Sequence, residues 1–336
     1  METNVQKGNT EPTETQRRQG NLILSSFGEE ILHYWKDESV NEIYLNDDYF
    51  LRLDTIYGRK CTDIKLNGEI VERICMAIAG YNHEVIDSKH PRLGIELDAL
   101  RIRAQIEYPP IVSRPVFFLR KMAARIFTLE EYLEQGILKE KHYNYIIQAI
   151  KQRKNVIVVG ATNSGKTTFL NAILKKLSEI HPDHRLMILQ DASELQCSSD
   201  DVQYLKTSKN KENPVTMEDL VFDSLRLSPD RIIVGEVRNG SAYDVLKAWN
   251  TGHPGGFCTI HADGCADALT RLELLVKESG ISTSTEDIRY LIGGIVKTII
   301  SIQKKTGKDG THREVDEIIE VSSYDEKQKK YVFDVI

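Results

Sequence analysis

The feature that most constrains this chain is a glycine-framed turn set between an apolar run and a helix. Residues 156–159 are Val, Ile, Val and Val; Gly160, Ala161, Thr162, Asn163, Ser164, Gly165, Lys166 and Thr167 follow, and residues 168–177 carry helical apolar spacing. Glycines at the two ends permit a backbone whose N–H groups converge on one point, a geometry that a Cβ would obstruct. A helix that begins there adds the positive end of its dipole. At this spacing Lys166 reaches the β- and γ-phosphates, and the Thr167 hydroxyl is placed for Mg²⁺. The turn, with Thr168 behind it, reads as a cradle for a triphosphate. Asn163 stands where another glycine is frequent, and asparagine tolerates left-handed backbone better than most residues.

The second half of the chain repeats the pattern of short apolar strand and helix. Residues 156–159, 186–189, 232–234 and 257–260 are continuous and rich in β-branched residues, which predicts a parallel sheet covered on both faces. Three of these runs end in polar groups. Residues 231–234 lead to Glu236, a carboxylate at a strand tip that can hold a magnesium water shell or polarise an attacking water. Residues 186–189 lead through Gln190 to Asp191 and Glu194, which read either as further site acids or as a solvated strand end. Residues 257–260 lead to His261, placed to sense a γ-phosphate, and the preceding loop 252–256 has the glycines to bring backbone close to a ligand. His253 in that loop reads equally as a site residue or a solvent-facing one. Cys258 and Cys265 flank His261 at no useful metal spacing.

The first 20 residues are polar and read as a disordered tail without the apolar stretch of a secretory signal. From Leu22 to about Arg120 short elements alternate: a helical pattern through Phe27, Ile31, Leu32 and Trp35, a strand at 41–46, a helix over 70–79 and a strand over 99–106. This predicts a small α+β domain ending at residue 127. Thr128 and Glu131 have the spacing of a capping box and open the second domain, 128–336. A net charge of −6 gives no global field for nucleic acid or anionic lipid, so direct nucleic-acid binding is not expected. Five scattered cysteines without paired spacing exclude a disulfide framework and fit a reducing compartment. No apolar run approaches the roughly 20 residues of a membrane-spanning helix.

Taken together, the cradle at 160–167, the acids around Asp191 and Glu194, the Gly235-Glu-Val-Arg238 segment and His261 resemble the type II/IV secretion ATPase family, in the family's order. Residues 225–231 and 248–256 look particularly like its conjugal-transfer TrbB-type branch. The resemblance covers nearly the whole chain after residue 20. It implies a RecA-like P-loop ATPase domain behind a smaller PAS-like α+β domain, with ATP and Mg as ligands. It also implies a homo-oligomeric, hexameric ring at the cytoplasmic face of the inner membrane, working with secretion or conjugation channel proteins. The family further implies arginines of the N-terminal domain at the phosphates, for which Arg101, Arg103, Arg114 and Arg120 are the candidates.

On this reading the chain is an ATP-hydrolysing motor, with Glu236 or Glu194 as general base, His261 reporting phosphate loss, and Thr167, Asp191 and Glu236 about the metal. One departure stands out. Where the family's acidic box usually reads Glu-Asp, this chain has Gln190-Asp191, and an amide orients water but cannot take its proton. A nucleotide-switched scaffold with little hydrolysis, or a pilus assembly or retraction ATPase, is therefore an alternative. A GTPase is disfavoured because Asn210-Lys-Glu-Asn213 lacks the final Asp of a guanine-reading motif, and no LSGGQ-like segment supports a transporter ATPase.

Overall fold

The computed structural model describes residues 13–81, 83–122, 125–208, 212–307 and 310–336. The chain divides into two compact units, one spanning Thr10–Ala124 and the other Arg125–Ile336. Residues 1–12, part of the expected tail, and residues 209–211, part of the Asn210-Lys-Glu-Asn213 segment, lie outside the described residues.

The first unit is α1 (Glu14–Lys36), β1 (Val40–Leu45), β2 (Phe50–Thr55), β3 (Gly58–Lys65), α2 (Gly68–Tyr81), β4 (Arg92–Leu97), β5 (Ile102–Glu107) and β6 (Val116–Lys121). Its six strands form one antiparallel sheet in the order β3-β2-β1-β6-β5-β4. The helices lay apolar stripes on that sheet: Ile23, Phe27 and Ile31 of α1, and Val71, Ile74 and Ile78 of α2, are buried in one cluster with the sheet. Such i, i+4 spacing is the helical signature that made both helices legible. Two expectations give way. Residues 14–20, read as disordered, continue α1, with Gly20 buried at Leu100. The strand expected over 99–106 begins only at Ile102, because Leu97 and Ile102 pair and residues 98–101 close the hairpin, with Arg101 left-handed at φ 53°.

The second unit opens with α3 (Leu129–Glu134), where Thr128 Oγ1 accepts from the Glu131 N–H and Glu131 Oε2 accepts from the Thr128 N–H, the reciprocal box expected from the sequence. There follow α4 (Glu140–Lys151), β7 (Val156–Val159), α5 (Lys166–Ile180), β8 (Leu186–Gln190), β9 (Val202–Lys206), α6 (Met217–Ser224), β10 (Arg231–Val234), α7 (Ala242–Asn250), β11 (Phe257–Ile260), α8 (Cys265–Lys277), α9 (Thr285–Ile295), β12 (Thr298–Gly307), β13 (Gly310–Asp325) and β14 (Lys330–Val335). The sheet order is β14-β13-β12-β7-β11-β10-β8-β9, parallel from β12 to β9 and antiparallel through the last three strands. Alternate residues of the parallel strands feed two cores. Ile157, Met187, Ile232 and Cys258 pack with α6, α7, α8 and α9, while Val158, Ile188, Ile233 and Phe257 pack with α3, α4 and α5. Both faces are covered, so the strands carry no polar side.

The sheet's base carries the glycine loop that the sequence had suggested for a ligand. The 252–256 loop precedes β11, and so lies at the strand's start, opposite the end that carries His261. Its glycines serve close packing. A Cβ on Gly256 would lie 1.9 Å from Trp249 Nε1, and one on Gly255 would lie 2.4 Å from Arg231 Nη1. The fully buried Arg231 donates to His184 Nδ1, Gly255 O and Ile150 O, and burial pulls its guanidinium down to about 10. Asn155 accepts from the N–H groups of both Gly255 and Gly256 and donates to Ile295 O. His253 is turned to Pro229 O at 2.9 Å, which removes it as a site residue. Replacing Arg231 by Met strands two buried carbonyls and an imidazole nitrogen. That substitution is expected to cost about 3 kcal/mol in chemical denaturation, with nucleotide affinity of the folded fraction unchanged.

Candidate active site

Parallel pairing brings the ends of β7, β11, β10 and β8 to one edge, where ligands bind in open α/β sheets. At the end of β7 the turn is left-handed at Asn163 (φ 61°) and Gly165 (φ 101°), and Gly160 has φ 155°. A Cβ on Gly160 would meet Ile302 O at 2.2 Å, so no larger residue fits there. Lys166 opens α5 and is almost wholly buried. Its ammonium donates to Gly160 O at 2.8 Å and Ala161 O at 2.9 Å, and lies 3.2 Å from His261 Nδ1. The cation is thus folded back on its own loop.

His261, one residue past β11, joins Lys166 to Glu236. Because its Nδ1 faces an ammonium, which only donates, the ring proton belongs on Nε2. That nitrogen lies 2.9 Å from Glu236 Oε1. Burial and the Lys166 charge hold the imidazole below its ordinary value, and the Glu236 carboxylate only partly offsets them. The contact is close yet off the line of a good hydrogen bond: Glu236 Oε1 is buried and accepts none. Arg238 Nη2 donates to the other oxygen, Glu236 Oε2, at 2.5 Å. This raises the Arg238 pKa. The Gly235 N–H to Leu189 O and Val237 N–H to Thr259 O bonds fix the segment between β8 and β11.

On the other side of the cradle, Thr167 Oγ1 donates to Glu194 Oε2 at 3.4 Å. The Glu194 backbone is pinned by Asn171 of α5, which donates to Glu194 O and accepts from the Gln196 N–H. Asp191 turns elsewhere. Its Oδ1 accepts from Thr207 Oγ1, and its Oδ2 lies 3.9 Å from Arg238. Gln190 is buried, with its amide oxygen accepting the Leu195 N–H. The residue that departs from the family's box therefore shapes the loop carrying Glu194.

The groups fit a magnesium-bound triphosphate. The Ser164 hydroxyl is buried beneath the turn with no partner, the left-handed turn is a nest for anions, and Thr167 with Glu194 offers the hard oxygen ligands that Mg²⁺ takes. The structure brings together Gly160 to Thr168, Glu194, Glu236 and His261, and sets Asp191 apart from Thr167's neighbour. Arg238 and Asn171 were not singled out by the sequence. Arg238 was visible only as the end of the Gly-Glu-Val-Arg segment, and a buried helix Asn carries no signal of its own.

Arg101, Arg103, Arg114 and Arg120 belong to the other unit. Arg103 and Arg120 pair across β5 and β6, flanked by Glu96 at 3.9 Å and Glu42 at 3.8 Å, a charge ladder over four strands. The Arg114 guanidinium lies over the Tyr49 ring, and burial lowers the pKa of Arg101.

Relatives match over most of the chain. A probable conjugal transfer protein TrbB of Sinorhizobium fredii is 35% identical over 302 residues, covering 90% of this chain and 89% of that one. The type IV secretion system protein VirB11 of Bartonella quintana is 28% identical over 327 residues, covering 85% and 90%. The solved structure of the ATPase DotB from Legionella pneumophila superposes with a TM-score of 0.65 at 19% identity, covering 90% of this chain and 82% of that one, a likeness of fold. Residues 62–320 match the type II/IV secretion system protein family, and the chain belongs to it.

Proposed function

We propose that this protein is a magnesium-dependent ATPase that drives substrate transfer or pilus assembly in a type IV secretion or conjugation machine. The observation that carries the reading is the chain of contacts from Lys166 through His261 to Glu236 at the carboxyl edge of the parallel sheet. In the proposed cycle the Lys166 ammonium exchanges the carbonyls of Gly160 and Ala161 for β- and γ-phosphate oxygens. Thr167 and Glu194, rather than Asp191, would hold the magnesium ion or its water, and the ion would supply positive charge against the phosphates. Glu236 orients water and takes its proton, with Oε2 held by Arg238 and Oε1 turned to His261. His261 loses its Lys166 contact as the phosphate arrives and so reports it.

The protein works, on this reading, as a homo-oligomeric ring recruited by channel proteins to the cytoplasmic face of the inner membrane. Among the described residues no helix is long and apolar enough to cross a bilayer, in keeping with recruitment by partners. The TrbB and VirB11 relatives favour a conjugation-type ring. The nucleotide-switched scaffold keeps one observation in its favour, the buried amide of Gln190 where the family has a carboxylate.

Lys166→Ala is expected to weaken ATP binding roughly 10- to 100-fold in calorimetric titration, the worth of losing hydrogen bonds from a charged donor. Wild-type-like affinity would remove the cradle from the account. Glu236→Gln is expected to bind ATP normally while single-turnover hydrolysis falls about 100-fold or more. If wild-type protein itself shows no single turnover, the scaffold reading replaces the motor. Glu194→Gln is expected to raise the magnesium concentration needed for half-maximal turnover, with ADP affinity in the absence of magnesium unchanged.

A further inference from the structure

One arginine beside the cradle has no part in that cycle. A cavity of about 440 Å³ opens beside the cradle, walled by Ala161, Thr162, His261, Asp263, Asp267 and Arg271. Arg271 comes from α8, whose Cys265, Ala268, Leu269, Leu272, Leu275 and Val276 are buried against the sheet. The helix is rigidly seated, so the position of the Arg271 backbone is fixed by the core. Its side chain is half-buried, and among the described residues it makes no hydrogen bond or ion pair. Asp267 sits one turn earlier, at the spacing that favours an Asp–Arg pair, yet the two do not pair. The Arg271 charge is felt at His261, whose other neighbours are Lys166 and Glu236. A half-exposed guanidinium that makes no ion pair is available to a ligand anion in the cavity.

Resting on the ATPase reading, we propose that Arg271 is a catalytic residue of this site, an arginine supplied by the same chain that grips the terminal phosphoryl group as negative charge grows on it. The cradle's main-chain amides and Lys166 approach from beneath, and Arg271 approaches from the α8 side, past Thr162 and His261. A planar guanidinium stays charged and offers two parallel donors to phosphate oxygens, which suits that place better than a lysine would. Donors aimed at developing charge act on the transferring phosphoryl group and not on the diphosphate that remains. The exposed carboxylates of Asp263 and Asp267 stand at the same cavity. They disfavour an anion there unless Arg271 offsets them, which makes the cavity selective for a nucleotide that reaches Arg271.

The test uses the full chain with Arg271→Gln and Arg271→Lys, and four probes: ADP, ADP with beryllium fluoride, ADP with aluminium fluoride, and ATP turnover. Arg271→Gln is expected to keep ADP affinity within about twofold. Its affinity for ADP with aluminium fluoride, and its kcat, are expected to fall roughly 10- to 100-fold, with a smaller loss for the beryllium fluoride complex. Arg271→Lys is expected to recover part of that loss, and it carries the test should the glutamine variant not fold. Equal loss for ADP and for ADP with aluminium fluoride would make Arg271 structural and overturn the proposal, as would no loss at all. A wild-type protein that binds neither nucleotide would defeat the ATPase reading instead, a result distinct from either.

Discussion

The site depends on the parallel pairing of four short strands. β7, β11, β10 and β8 run in one direction, so the residues that follow them, Gly160, His261, Gly235 and Asp191, emerge along one edge. The cross-links continue past the strands: Val237 N–H reaches Thr259 O, and Thr259 Oγ1 donates to Gly235 O. Glu236 is therefore anchored on both sides of its own peptide and cannot drift from His261. Pairing that begins in the apolar core thus ends as catalytic geometry, without any contact designed solely for the site.

Charge at that edge is already arranged in opposed pairs. Lys166 faces two carbonyls and an imidazole, His261 stands between an ammonium and a carboxylate, and Arg238 holds one oxygen of Glu236. The contacts of Lys166 are the ones that would compete with a bound triphosphate. An ammonium drawn to phosphate leaves His261 Nδ1 without its neighbour, which removes the main positive influence that keeps the imidazole neutral. On the proposed reading, a signal from phosphate to Glu236 rests on electrostatics between groups in direct contact.

The opposite edge of the sheet carries polar groups of another kind. Arg231 and Asn155 are buried and satisfied by backbone partners, tying the start of β10, the 252–256 loop, α4 and α9 together. Burying such groups is tolerable because their hydrogen bonds are made, and the satisfied network specifies one arrangement of the chain. A rigid base and a responsive edge sit at the two ends of strands only four or five residues long.

Much of this was legible in local sequence. The spacing of Gly160, Gly165 and Lys166 sets the cradle because backbone conformation and a helix start are short-range matters. The four β-branched runs announced a parallel sheet, and Thr128 with Glu131 announced a helix start, for the same reason. The last three strands, with charged residues such as Lys304, Lys305, Arg313 and Glu314, carried no continuous apolar run and became visible only through pairing, β12 on β7 and then β13 and β14 outward from it. The split between the two glycine loops was also beyond the sequence. Loops 160–165 and 252–256 look alike in composition, yet one follows its strand and the other precedes it, so parallel pairing sends them to opposite ends of the sheet. Which acid stands by Thr167, and that His261 lies between Lys166 and Glu236, were decided by packing between segments far apart in the chain. Local composition specifies what each segment can do; only the register between segments decides which of them meet.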